Sequence, residues 1–185
     1  RFGECVVDFN KLVARAKAIL STPKTEWPVV AAEPATPADL YKGYIIVLAA
    51  IPAVAAFIKG SIIGTDIWMA GRVRTGIGMG PTSMVVTYVP TLVSVYIVAL
   101  IVDALAPTFG GQKDRTQALK VVAYSMTASW IAGAAVILPW IGLLVLLADA
   151  VYGIYLLYLG LPHTMKSPPE KAAGYTVVTI IVAFV

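Results

Sequence analysis

The chain has 185 residues, of which 59% are hydrophobic and 13% charged, with a formal net charge of +4. An ordinary soluble domain carries roughly 25% charged residues, so the composition excludes a soluble globular protein and points to one membrane domain. The basic residues are scattered through connections and not clustered beside stacking aromatics, which argues against nucleic acid as a partner, and the one cysteine, Cys5, excludes an intrachain disulfide.

Residues 5 to 21 place Val6, Phe9, Leu12, Val13, Ala16 and Leu20 at helical spacing, with Asp8, Lys11, Arg15 and Lys17 mostly opposite. The pattern predicts an N-terminal amphipathic helix lying along the membrane surface, with Trp27 following at the interface; a surface helix packed on the bundle has the same pattern. Its charges, from Arg1 and Glu4 onward, break any signal-peptide core. Residues 21 to 39, with Pro23, Pro28, Pro34 and Pro37, read as a Pro-rich linker. Residues 1–39 are therefore expected to be cytoplasmic or interfacial, and 40–185 to form the membrane domain. The opening without Met and the apolar end at Ala183-Phe184-Val185 suggest a longer natural chain.

The fold class expected is all-α: a polytopic bundle of five transmembrane helices. The first span covers about 40–63, with Pro52 inside, Lys59 near its end, and Gly60 and Gly64 as a weak Gly-x-x-x-Gly. A Gly-rich connection with Asp66, Arg72 and Arg74 leads to a second span at about 81–105, which contains Pro90 and ends near Asp103. Prolines within spans kink a helix and free a carbonyl. From Val121 to Met165 the only acidic or basic side chains are Asp149 and His163. That run is too long for one span and divides at Leu138-Pro139-Trp140 into two segments of about 20 residues, each sufficient to cross hydrocarbon. These are the third span, about 116–137, and the fourth, about 141–162. A fifth begins near Ala172 after the rigid turn Ser167-Pro168-Pro169-Glu170, and only about 14 residues of it are present, roughly 21 Å of helix and short of the bilayer. No internal repeat supports an inverted-repeat transporter.

Five spans put Arg1, Lys11, Arg15, Lys17, Lys24, Lys42, Lys113, Arg115, Lys120, Lys166 and Lys171 on one side, and Lys59, Arg72 and Arg74 on the other. The asymmetry predicts a cytoplasmic N-terminus and a C-terminus on the outer side.

Asp149 is the foremost candidate for a functional residue, because a carboxylate near mid-membrane is expensive and faces the bundle interior with a partner. Depth counting brings Tyr124, Ser125, Thr127 and Ser129 of the third span and Tyr88 of the second near its level. Two readings stand: a proton-linked or ligand-binding carboxylate, or a neutral acid bonded to a hydroxyl that locks two helices. Lys120 and Asp103 are placed to pair, or to snorkel separately to the headgroups. Tyr152, Tyr155 and Tyr158, three apart on the fourth span, form a candidate partner face or a packing face.

Catalytic signals are poor. His163 stands alone, and Gly76-Ile77-Gly78-Met79-Gly80 lacks the strand context of a dinucleotide loop. The expectation is no catalytic residue, no cofactor and no metal.

Ala38-Asp39-Leu40-Tyr41, the run Asp103-Ala104-Leu105-Ala106-Pro107-Thr108-Phe109-Gly110-Gly111 leading into Lys120-Val121-Val122-Ala123-Tyr124-Ser125, and Tyr155-Leu156-Leu157-Tyr158-Leu159-Gly160-Leu161-Pro162 together carry a family resemblance. From about residue 10 onward the chain resembles the Yip (Ypt-interacting protein) domain family, in its bacterial branch. Asp39, Leu40 and Tyr41 match the family motif, with Lys42-Gly43 where eukaryotic members have Gly-Pro. The resemblance implies a five-span protein of the bacterial inner membrane that contacts the lipid bilayer and associates with other membrane proteins or with itself. Three functions remain open: a non-catalytic scaffold or accessory subunit, a small transporter or channel using Asp149, and a membrane-shaping protein.

Overall fold

The computed structural model describes residues 8–67, 71–74, 76, 78–138 and 141–184. Two short helices lead, α1 (Phe9–Ser21) and α2 (Pro23–Ala32). Four helices long and apolar enough to cross a membrane follow: α3 (Pro37–Ile63), α4 (Gly80–Phe109), α5 (Arg115–Ile137) and α6 (Ile141–Thr164). The segment expected as a fifth span is helical over α7 (Ala172–Phe184), whose 13 residues make about 20 Å, short of the roughly 30 Å of hydrocarbon. Among the described residues four helices have the length of a full span, and the fifth, expected as a truncated span of about 14 residues, is helical over the 13 described. Val6 and the Pro139-Trp140 turn lie outside the described residues.

Local chemistry sets the helix starts. Asp8 caps α1 by accepting the N–H groups of Asn10 and Lys11 at 3.1 and 3.2 Å. Thr36 and Asp39 close a reciprocal capping box at α3, with the Thr36 N–H donating to Asp39 at 3.1 Å and the Asp39 N–H donating to Thr36 at 3.2 Å. Asp114 caps α5 through the Thr116 and Gln117 amides.

Residues 21–39 correct the linker expectation, because most of them are helical. Pro23 sits in the first turn of α2, where its missing N–H costs nothing. Pro28 lies inside the helix at the expense of a hydrogen bond. Burial outweighs that loss: Trp27 and Val30 of the same helix are almost wholly enclosed against the bundle. The apolar stripe of α1 divides in the same way. Leu12, Ala16 and Ile19 are buried, while Phe9 and Val13 stay exposed.

The core lies among α3, α4, α5 and α6, and α5 is its most enclosed member, with every residue from Ala118 to Ser125 buried. The outer faces of α4 and α6 present Val85, Val86, Val89 and Val93, and Leu143, Leu144, Leu147 and Val151. Such faces suit a lipid solvent. The spans are not regular rods. α3 is π-helical over Tyr41–Ile45 and Ile58–Ile63, and α5 turns at Met126 and ends in a 3-10 segment, Gly133–Ile137. A Cβ on Gly133 would stand 2.6 Å from the Pro52 side chain, so glycine there admits the close approach of α3 at Pro52. Between α3 and α4, β1 (Thr65–Ile67) and β2 (Gly71–Val73) pair as a small antiparallel ladder.

Candidate functional site

Asp149 lies toward the middle of α6 and opens onto a cleft of about 450 Å³ between α5, α6 and α7, with Val98 of α4 at its side. The walls are largely apolar. The polar groups come from Ser125 and Ser129 of α5, Asp149 of α6 and Thr179 of α7. Ser125 and Ser129 are four residues apart and so share one face of the helix. Gly153, one turn after Asp149, lets α6 lie close to that face: its Cβ position is 3.7 Å from the Ser125 carbonyl oxygen and 3.8 Å from the Ser129 hydroxyl.

The site is under-satisfied. Ser129 lines the same cleft as the Asp149 carboxyl. Asp149 Oδ1, Ser125 Oγ and Thr179 Oγ1 are all buried without a hydrogen-bond partner. A buried polar atom left unpaired costs on the order of 1–3 kcal/mol, and three on one cleft are costly unless another molecule completes them.

Other residues expected at this level face elsewhere. Tyr124 and Thr127 are three apart on a different face of α5. Thr127 shares a 2.7 Å hydrogen bond with Tyr44, and the Tyr124 ring packs 4.7 Å from that of Tyr44 and 6.5 Å from Trp27, edge-on. The Tyr88 hydroxyl donates to the Ile46 carbonyl at 2.6 Å, while Tyr41 of α3 donates to Leu92 of α4 at 2.8 Å. These two bonds brace α3 against α4. In the family motif, Asp39 serves the capping box, Leu40 is buried, and Tyr41 is half of that brace.

Tyr152 turns to the N-terminal arm and donates to the Leu20 carbonyl at 2.6 Å, whereas Tyr155 and Tyr158 are exposed. Lys120 pairs with neither Asp103 nor the headgroups. It is 2% exposed and donates to the Val30 carbonyl at 2.9 Å and to the Glu33 carbonyl, closing the C-terminal end of α2 where a cation is favoured. Asp103 is buried with Oδ1 unpaired. Arg15 of α1 bonds both Glu26 and Glu33, fastening α1 to α2. Burial alone would lower the proton affinity of its guanidinium, but Glu33 and Glu26 outweigh that and hold it above its ordinary value. Among the described residues no three His, Cys, Asp or Glu side chains gather as a metal site.

Sequence reasoning missed Thr179. Its signal was the recurrence of Tyr175, Thr176 and Thr179, all buried, on one face of an otherwise apolar helix.

A family model described as the Yip1 domain matches residues 17–185. "Inner membrane protein YohC" of Escherichia coli (strain K12) is 24% identical over 166 residues, covering 89% of this chain and 85% of that protein. The protein of the same name from Escherichia coli O6:H1 matches to the same extent. No solved structure matches the chain.

Proposed function

We propose, from the premise that the chain belongs to the Yip1 domain family, that it is a non-catalytic scaffold or accessory subunit of a bacterial inner membrane. Its Asp149 cleft seats a helix of a partner membrane protein. The observation that carries this reading is the convergence of Asp149 Oδ1, Ser125 Oγ and Thr179 Oγ1, all without partners, on one cleft. In lipid, apolar surfaces gain little by meeting each other, so polar side chains and close packing are what join helices. A partner helix carrying a hydrogen-bonding side chain would complete these groups. The name of the Escherichia coli relatives supports the inner membrane, and eleven basic residues against three support a cytoplasmic N-terminus.

Photo-crosslinking from Ile154, on the cleft wall, in native membranes tests the reading. The wild type should capture a membrane protein, and Asp149→Leu should lose it. Recovery of uncrosslinked monomer from both would refute it.

A second reading is favoured by the same acid together with the prolines Pro52 and Pro90 inside two spans: passage of a proton or small solute at Asp149. Reconstituted wild-type protein would then show a flux that Asp149→Asn removes, and equal flux from both, or none from either, ends it.

A further inference from the structure

A second pocket, of about 470 Å³, lies where α2, the loop before α5 and the end of α6 meet. Its polar lining includes Lys113, Asp114, Gln117, His163 and Lys166, and Pro28, Ala31 and Ala32 of α2 form an apolar wall. The pocket stands at the first turn of one span and the last turn of the next, since α5 begins at Arg115 and α6 ends at Thr164. That is the depth of phospholipid headgroups, where basic pockets between spans take anionic lipid.

The charge in the pocket is positive. Two ammonium groups line it against one carboxylate, and Asp114 Oδ1 is already engaged by the Thr116 and Gln117 amides. Lys166 is held at φ 53°, a left-handed conformation uncommon outside glycine. The Gln112 N–H bond to the Met165 carbonyl, 2.8 Å, fixes the chain beside it. Gln117 donates to the Ala31 carbonyl at 2.9 Å, which leaves its Oε1 buried without a donor. The pocket therefore offers cations for a phosphate and one acceptor in need of a hydroxyl.

We propose that this pocket binds the headgroup of an anionic glycerophospholipid, with the phosphate between Lys113 and Lys166 and a headgroup hydroxyl donating to Gln117 Oε1. The acyl chains leave past the ends of α5 and α6 into the bilayer. The site is separate from the Asp149 cleft and does not rest on the function proposed above.

Native mass spectrometry of the full chain in detergent, titrated with phosphatidylglycerol or phosphatidylcholine, tests the proposal. The wild type should retain phosphatidylglycerol several-fold better than phosphatidylcholine, and Lys113→Gln/Lys166→Gln should lose most of that preference. Lys17→Gln/Lys24→Gln, which removes two exposed arm lysines outside the pocket, should keep it. Should the pocket variant fail to fold, Gln117→Leu gives the reading: the wild type should prefer phosphatidylglycerol to phosphatidylethanol, a phosphodiester of the same charge without a headgroup hydroxyl, and the variant should lose that preference. Excess inorganic phosphate should not displace the lipid. Equal retention of the two lipids by the wild type, equal loss in both lysine variants, an undiminished preference in Gln117→Leu, or displacement by inorganic phosphate alone overturns the proposal, the last by assigning a soluble anion.

Discussion

The indole of Trp27 occupies the space that a side chain at position 160 would need: a Cβ on Gly160 would stand 2.8 Å from ring atoms Cζ2 and Cη2. The same Cβ would stand 2.6 Å from Val121 Cγ2, so the absence of one side chain on α6 admits both the ring of α2 and the neighbouring wall of α5. Gly160→Leu should expel the ring at a cost of about 1–3 kcal/mol, the range for overpacking. Trypsin should then cut faster at Lys24, which is exposed on α2. An unchanged cleavage rate would show that the arm is held without this contact.

Lys120 holds the far end of the same helix. Lys120→Met keeps the aliphatic stem but leaves the Val30 and Glu33 carbonyls without their donor, at a cost on the order of 1–3 kcal/mol. Thermal unfolding in detergent should shift to lower temperature. A shift upward would mean that burying the ammonium costs more than its two bonds return.

Tyr41→Phe and Tyr88→Phe each remove one bond between α3 and α4. Interhelical hydrogen bonds in membrane proteins average about 0.6 kcal/mol, so each loss should be small. The acceptors, Leu92 and Ile46, lie on different helices, so the double variant should lose roughly the sum. Unfolding in denaturant checks this, and a double-variant loss well beyond the sum would show that the two bonds form one cooperative clasp.

Asp149→Leu should leave the isolated protein as stable as the wild type, or more so, because it removes an acid with an unpaired oxygen from largely apolar walls. An appreciable drop in melting temperature would show that the carboxyl locks α5 to α6 through Ser129.

The spans were legible because lipid demands long apolar runs, and the limits of α3 to α6 fall within a few residues of the expected ones. The common height of Asp149, Ser125 and Ser129 on one cleft was legible too, since depth along adjacent spans can be counted. Direction around the helix was harder to read. Tyr124 and Tyr88 match the acid in height but turn away, toward Tyr44 and Ile46. The run 21–39 reads as a linker because four prolines discourage regular structure locally, while the stabilisation of α2 comes from distant residues: Gly160 beside Trp27 and Lys120 at its end. No local pattern announces partners so far apart in the chain.

Tyr152 stands one helical turn beyond Asp149 and grips the first helix at Leu20. The end of the first helix is therefore tied to the fourth span at nearly the height of the acid itself, so a turn of that span about its own axis at Asp149 pulls directly on the hydrogen bond that holds the arm.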